Sequence, residues 1–260
     1  MLQSASPEAL GLDPARLQGA FGLVQGWLDE QVVTGVSAAV VRHGQLAGTF
    51  YGGYASARSL FHLASIGKPM AALAVMLLVE QGQIALDDPV EAILPAFAGP
   101  ERQAITTRHL LSHTSGLAQD ADLSGVPPGA DTATELRTYL HARPVVPIGS
   151  KVEYSNVGYG LLGLIVEAVS GQSFASFMRE RLFQPAGMEN AYLAPPDEVA
   201  DRIVHVDGTP DPGSPYERFN SAHARRQTHP AGHIVGNALD VAQFFQLFLD
   251  DGRANGVQLA

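Results

Sequence analysis

Ser65 and Lys68 stand three residues apart at the start of an apolar, helix-like run. That spacing puts both side chains on one helix face, with Cβ atoms roughly 5–6 Å apart. A serine hydroxyl is a weak nucleophile until a base or a cation activates it. Lysine is scarce: Lys68 and Lys151 are the only two in 260 residues, beside fourteen arginines. Lys68 is flanked by Ile66, Pro69, Met70 and Ala71, poor company for a surface charge. The pair suits acyl transfer, with Ser65 attacking a carbonyl and Lys68 moving the proton. The ordinary alternatives are a helix N-cap serine and a surface lysine whose stem lies along apolar neighbours.

Tyr154 and Asn156 fall about ninety residues later, in Glu153-Tyr154-Ser155-Asn156-Val157-Gly158. A free tyrosine titrates near about 10, so it becomes a base only if a cation stabilises its phenolate. Lys68 would do so, and the two would then titrate as a unit. Asn156 is able to accept from Lys68 and to donate to a substrate amide. A core tyrosine with a satisfied hydroxyl and a turn asparagine ahead of Gly158 are the competing readings. Leu110-Leu111-Ser112-His113-Thr114-Ser115-Gly116-Leu117 lies between the two motifs.

This order and wording resemble the serine β-lactamase and penicillin-binding transpeptidase superfamily. The class C branch, with its D-alanyl-D-alanine carboxypeptidases and esterases, is the most similar. Its first two motifs are S-x-x-K and Y-x-N. The resemblance runs over nearly the whole chain, through Gly82 to Pro89, Ala186-Gly187-Met188 and Pro230-Ala231-Gly232 ahead of Asp240. It implies Ser65, Lys68 and Tyr154 as catalytic residues and Asn156 as a substrate-binding residue. It implies an α+β fold, an antiparallel sheet flanked by helices plus a helical subdomain over about 83–200. It also implies a third motif, K-T-G or H-x-G, on a strand near the C-terminus, which supplies the second oxyanion donor beside the Ser65 N–H. No such triad follows Gly236, and His229-Pro230-Ala231-Gly232 is only a near miss. The 260 residues are therefore read as one β-lactamase-like domain, C-terminally incomplete, whose sheet edge is exposed and open to association.

A hydrophobic fraction of 46% and a charged fraction of 16% suit a globular protein with a real core. The net charge of −10 disfavours nucleic acid, whose phosphates need a basic face. The absence of cysteine excludes disulfides and thiol chemistry. The first ten residues have no basic region and no apolar core, so they are not a secretory signal. A cytoplasmic location follows as written, or a periplasmic or secreted one if a signal has been removed. The apolar run from Met70 to Val79 is far short of the roughly 20 residues a membrane span needs.

Periodicity predicts a helix over Leu17–Leu28 and a hairpin of strands over Val32–Val41 and Gln45–Tyr51. Further helices are expected over Ser65–Gln81, Thr134–Ala142, Tyr159–Ser170, Phe174–Phe183 and Val241–Asp250, with a short one capped by Thr106 or Thr107. Glu198 to Arg226 reads as irregular and wrapping the cleft. His113 is tempting as a triad base, but G-x-S-x-G is absent, and the resemblance makes it structural. Asp87-Asp88-Pro89 reads as a helix-to-turn junction. His205, His223, His229 and His233 lack H-E-x-x-H spacing, so neither metal nor cofactor is expected.

The expectation is a serine acyl hydrolase acting through an acyl-enzyme. Its substrate is a small-molecule or peptide acyl donor: a β-lactam, a D-Ala-D-Ala peptide or a small ester. A small-ester esterase without β-lactamase activity is one alternative. A non-catalytic binding or sensing domain that keeps the fold is the other.

Overall fold

The computed structural model describes residues 2–206, 217–254 and 257–259. Its elements run β1 (Gln3–Ser4), α1 (Pro14–Asp29), β2 (Gly35–Arg42), β3 (Gln45–Gly53), β4 (Phe61–His62), α2 (Gly67–Glu80), α3 (Val90–Ile93), α4 (Thr107–Leu111), α5 (Thr132–Tyr139) and α6 (Asn156–Ser170). They continue with α7 (Phe174–Met178), α8 (Gln184–Ala186), α9 (Ala222–Arg226), β5 (Val235–Gly236), α10 (Ala238–Leu249), β6 (Arg253–Ala254) and β7 (Val257–Gln258). The α+β class is as expected. Among the described residues no single helix is long and apolar enough to cross a membrane.

β2 and β3 form the hairpin, antiparallel from Gly35 opposite Gly53 to Arg42 opposite Gln45, with one irregularity between Val40 and Val41. His43 and Gly44 turn it, both with positive φ. β1 adds in parallel on β3, so the order is β1-β3-β2 and β2 is an edge. Every residue of β2 is half-buried or exposed. An edge strand presents unpaired N–H and C=O groups along its free side.

The core lies between α2 and α6. Met70, Ala71, Ala74 and Val75 of α2 are fully buried, as are Leu161, Leu162, Ile165 and Val166 of α6. Each large aliphatic side chain so buried contributes roughly 1.5–3 kcal/mol. Asp13 caps α1, accepting from the Ala15 and Arg16 N–H groups, so this helix starts earlier than periodicity suggested. Asp131 caps α5 in the same way, which moves it from the expected Thr134–Ala142 to Thr132–Tyr139. Ser155 caps α6 and accepts from Gly158 N–H, so Asn156 opens the helix three residues before the expected start. Asn237 caps α10, again earlier than expected. α7 runs through a π turn, Arg179–Phe183, into α8. Within the irregular 198–226 stretch the structure has a 3₁₀ turn over Asp197–Arg202, another over Glu217–Asn220, and α9; residues 207–216 lie outside the described set.

Candidate active site

Ser65 lies in a 3₁₀ turn, Ala64–Ile66, that leads into α2, rather than in the α-helix itself. Ala64 has φ +46°, a left-handed conformation that disfavours residues with a Cβ. Two neighbours hold the turn. Leu63 N–H donates to Ile234 C=O at 2.9 Å. Gly232 packs against Ala64, whose backbone a Cβ on residue 232 would touch at 3.4 Å. β4 and β5 pair immediately beside this contact, Phe61 with Gly236 and His62 with Val235. The strained turn leaves the Ser65 side chain exposed.

Two groups converge on Ser65 Oγ. Tyr154 Oη donates to it at 2.7 Å and Lys68 Nζ at 3.1 Å. Lys68 is only 4% exposed and donates a second hydrogen bond to the Ala231 carbonyl at 2.8 Å. Its ammonium lies 4.6 Å from the Tyr154 ring centroid and 5.7 Å from that of Tyr159. Among the described residues no carboxylate pairs with Lys68. A buried charge without a counter-ion is costly. Two neutral oxygens and two aromatic faces offset that cost here.

His113 holds Tyr154 in place. Its Nδ1 accepts from Ser155 N–H at 3.0 Å and its carbonyl accepts from Glu153 N–H at 2.7 Å. Its ring packs between Tyr154 and Tyr159, with centroids at 4.6 and 5.0 Å. Burial, and then the Lys68 charge, lower its pKa, so the ring stays neutral. The histidine thus braces the second motif, which suits the structural role the resemblance implied. The loop that carries it needs Gly116, at φ +75°, because a Cβ there would run into the Val146 carbonyl.

Asn156 differs from expectation. Its Nδ2 donates to Asp120 Oδ1 at 2.6 Å, and the hydrogen bonds of Lys68 go to Ser65 and Ala231 instead. The exposed Asp120 carboxylate accepts one of the two Asn156 amide hydrogens, a pairing that the spacing of the motif gives no hint of. The Asp87 carboxylate of the helix-to-turn junction chelates Arg108 at 2.7 and 2.8 Å. Of the late histidines, His223 contacts Gln227 and His205 approaches Asn220, whereas His229 and His233 are neighbours with ring centroids 6.0 Å apart, His229 buried and His233 tilted against Phe219. Nothing in spacing or residue type pointed to Asp120 or His229 in this site, and only the Pro230-Ala231-Gly232 wording pointed to Ala231.

Ser65 and Lys68 of the first motif and Tyr154 of the second, the three residues the resemblance implied as catalytic, are brought together. The chain belongs to the Beta-lactamase family. The match covers residues 21–259. Penicillin-binding protein 4 of Amycolatopsis lactamdurans is 32% identical over 204 residues, covering 75% of this chain and 52% of the relative. Esterase EstB of Burkholderia gladioli is 32% identical over 235 residues, covering 80% and 60%. The crystal structure of D-amino acid amidase from Ochrobactrum anthropi SV3 superposes with a TM-score of 0.72 at 26% identity, over 94% of this chain and 74% of that one. The chain therefore spans between half and two thirds of the length of these two curated relatives. Proteins with such different names resemble this chain in sequence or in fold, so the likeness does not select a substrate.

Proposed function

We propose that the protein is a serine hydrolase of the Beta-lactamase family that works through an acyl-enzyme on Ser65. One observation carries this reading: Tyr154 Oη and Lys68 Nζ both reach Ser65 Oγ, at 2.7 and 3.1 Å. With one proton removed from the Lys68–Tyr154 pair, the phenol oxygen becomes the acceptor for the Ser65 proton. Ser65 Oγ then bonds to the acyl carbon, the bond to the leaving group breaks, and the pair returns the proton to that group. Water repeats the sequence on the ester, releasing the acid and restoring Ser65. The Ser65 N–H, in the turn at the start of α2, is the first oxyanion donor; one such donor is worth about 10²–10³ in rate.

The acyl donor is a carboxylic ester or amide, with a β-lactam ring and a D-Ala-D-Ala peptide as the amide candidates. The names of similar proteins, a penicillin-binding protein, an esterase and an amidase, support this breadth. Incubation with a fluorescent penicillin and with a fluorophosphonate, followed by mass-spectrometric mapping, tests the reading. The adduct is expected on Ser65. A label on another residue, or one that persists in Ser65→Ala, removes Ser65 as nucleophile. Penicillin labelling without ester turnover points to the peptide and β-lactam class, and the reverse points to an esterase.

A further inference from the structure

Behind Lys68 the polar contacts continue past Ala231 into the core. His229 is 5% exposed and Tyr139 is 3% exposed. Both ring nitrogens of His229 are engaged: Nδ1 accepts from Ala231 N–H at 3.0 Å, and Nε2 lies 3.0 Å from Tyr139 Oη. Tyr139 Oη donates to Glu135 Oε1 at 2.7 Å. The directions are forced. A nitrogen that accepts from a backbone N–H carries no proton, so the neutral ring has its hydrogen on Nε2. Tyr139 gives its one hydrogen to Glu135, so its oxygen accepts from His229.

The ring is neutral. Burial, followed by the charges of His233 and Lys68, lowers the His229 pKa to about 3. The 3.9 Å approach of His229 Nε2 to Glu135 Oε1 is therefore not an ion pair; the Tyr139 hydroxyl bonds to both. Burial and the Glu135 carboxylate raise the Tyr139 pKa, so the hydroxyl stays a donor. A separate set of bonds ties the preceding residues to the start of α5. Thr132 Oγ1 donates to Gln227 Oε1 and accepts from Thr228 N–H at 2.8 Å, and Gln227 Nε2 donates to Ala130 C=O at 3.1 Å.

We infer that Glu135, Tyr139 and His229 are positioning residues for acylation: their buried hydrogen-bond chain fixes Ala231, whose carbonyl seats the Lys68 ammonium against Ser65. The inference rests on the hydrolase reading above. None of the three touches Ser65 or a reacting atom, so they act only through Lys68. The competing account is that the chain merely satisfies buried polar groups, as buried polar groups generally must be. The two accounts differ in one measurable respect. A role exercised through Lys68 disappears when Lys68 is gone, whereas a structural role does not.

The test compares Tyr139→Phe and His229→Asn in two backgrounds, the parent protein and Lys68→Ala. Phe keeps the ring and removes the hydroxyl that links His229 to Glu135. Asn keeps an oxygen able to accept from Ala231 N–H and loses the reach to Tyr139, so it serves if the first variant does not fold. Turnover of a p-nitrophenyl ester and the rate of fluorophosphonate labelling at Ser65 are read per folded molecule, with melting temperature alongside. In the parent, either variant should lower the rate of Ser65 labelling and kcat/KM for the ester roughly three- to tenfold, the range of one net hydrogen bond. In Lys68→Ala the same change should leave the slow labelling rate where it was. Equal losses in both backgrounds, or an unchanged rate of Ser65 labelling in the parent variants, would overturn the positioning role alone. A parent that neither turns over ester nor is labelled at Ser65 overturns the hydrolase reading, and this inference with it.

Discussion

At the scale of single residues, the site separates what a side chain advertises from what a backbone hides. Ser65, Lys68 and Tyr154 were legible because their chemistry is in their side chains and their spacing is short or motif-bound. The Ala231 carbonyl was not, since every residue carries one and no letter marks it. Asp120 was missed for a related reason: its contact with Asn156 spans 36 residues of chain and depends on how a loop folds back. Tyr154 gives the sharpest residue-level prediction. Its ring packs on His113 at 4.6 Å and its hydroxyl bonds to Ser65 at 2.7 Å, and these contacts use different atoms. Tyr154→Phe keeps the packing and deletes only the hydroxyl. We expect kcat/KM to fall at least about 10²-fold, the lower range for general acid–base catalysis. The melting temperature should barely move, because the residue is 40% exposed. Near-full turnover in that variant would shift the base role elsewhere, and His113, already in contact with Tyr154, would be the first to examine.

At the scale of elements, long periodic segments were readable and short ones were not. α1, α2, α5, α6 and the β2–β3 hairpin follow the expected pattern, with ends moved by a few residues where Asp13, Asp131 or Ser155 caps a helix early. β1, β4 and β5 are two residues each, too short to show any period. Their pairing is decided by neighbours distant in sequence. The glycines of α6 show how an element sets the site. An added Cβ at Gly163 would strike the Pro230 ring, and at Gly160 the Tyr139 ring. Gly158, in the first turn, has only ordinary contacts near it, the closest at 3.5 Å from Ser155 Oγ. Glycine in a helix costs roughly 0.5–1 kcal/mol against alanine. Gly158→Ala should therefore raise stability by up to about 1 kcal/mol, at most. Gly163→Ala gains the same propensity but overpacks a buried contact, at a cost of typically 1–3 kcal/mol. It should be net destabilising in urea denaturation. It should also depress ester turnover, since Pro230 precedes the Ala231 carbonyl that holds Lys68. A Gly163→Ala protein as stable and as active as its parent would mean that the 229–232 segment yields without consequence.

At the scale of the whole molecule, motif order made the fold legible where periodicity could not. The α+β class followed from the resemblance, the β2–β3 hairpin from local pattern, and the pairings of β1 with β3 and of β4 with β5 from neither. The same scale decides how stability depends on pH, because that is a sum over buried groups from separate elements. His62, His113 and His229 all have lowered pKa values, with burial as the leading cause in each; that of His229 falls to about 3. Asp240 is the opposite case. Burial raises it to about 6, against the pull of the Asn190 and Asn237 N–H groups, and its Oδ2 is a buried atom without a partner among the described residues. The signs follow from linkage. An unfolded histidine titrates near about 6.5, so as pH falls below that value the unfolded chain takes up protons that the folded chain refuses, and stability drops. An unfolded aspartate titrates near about 4, so between about 4 and 6 the folded chain keeps a proton the unfolded chain has lost. Asp240 therefore gains stability on acidification while the three histidines lose it. Asp87, Asp122 and Asp131 have depressed pKa values and are fully exposed, so they act below this window. Three groups against one give a melting temperature that falls as pH goes from 6.5 to 4.5. Asp240→Asn removes the one opposing group among the described residues and should steepen that fall, by at most about 1.4 kcal/mol per pH unit. His229→Asn removes one of the three and should flatten it. Melting curves at pH 4.5, 5.5, 6.5 and 8 for the parent and both variants decide the matter. If Asp240→Asn left the slope unaltered, the carboxyl would be ionised in the folded protein at these pH values, and the neutral, buried Asp240 would have to be abandoned.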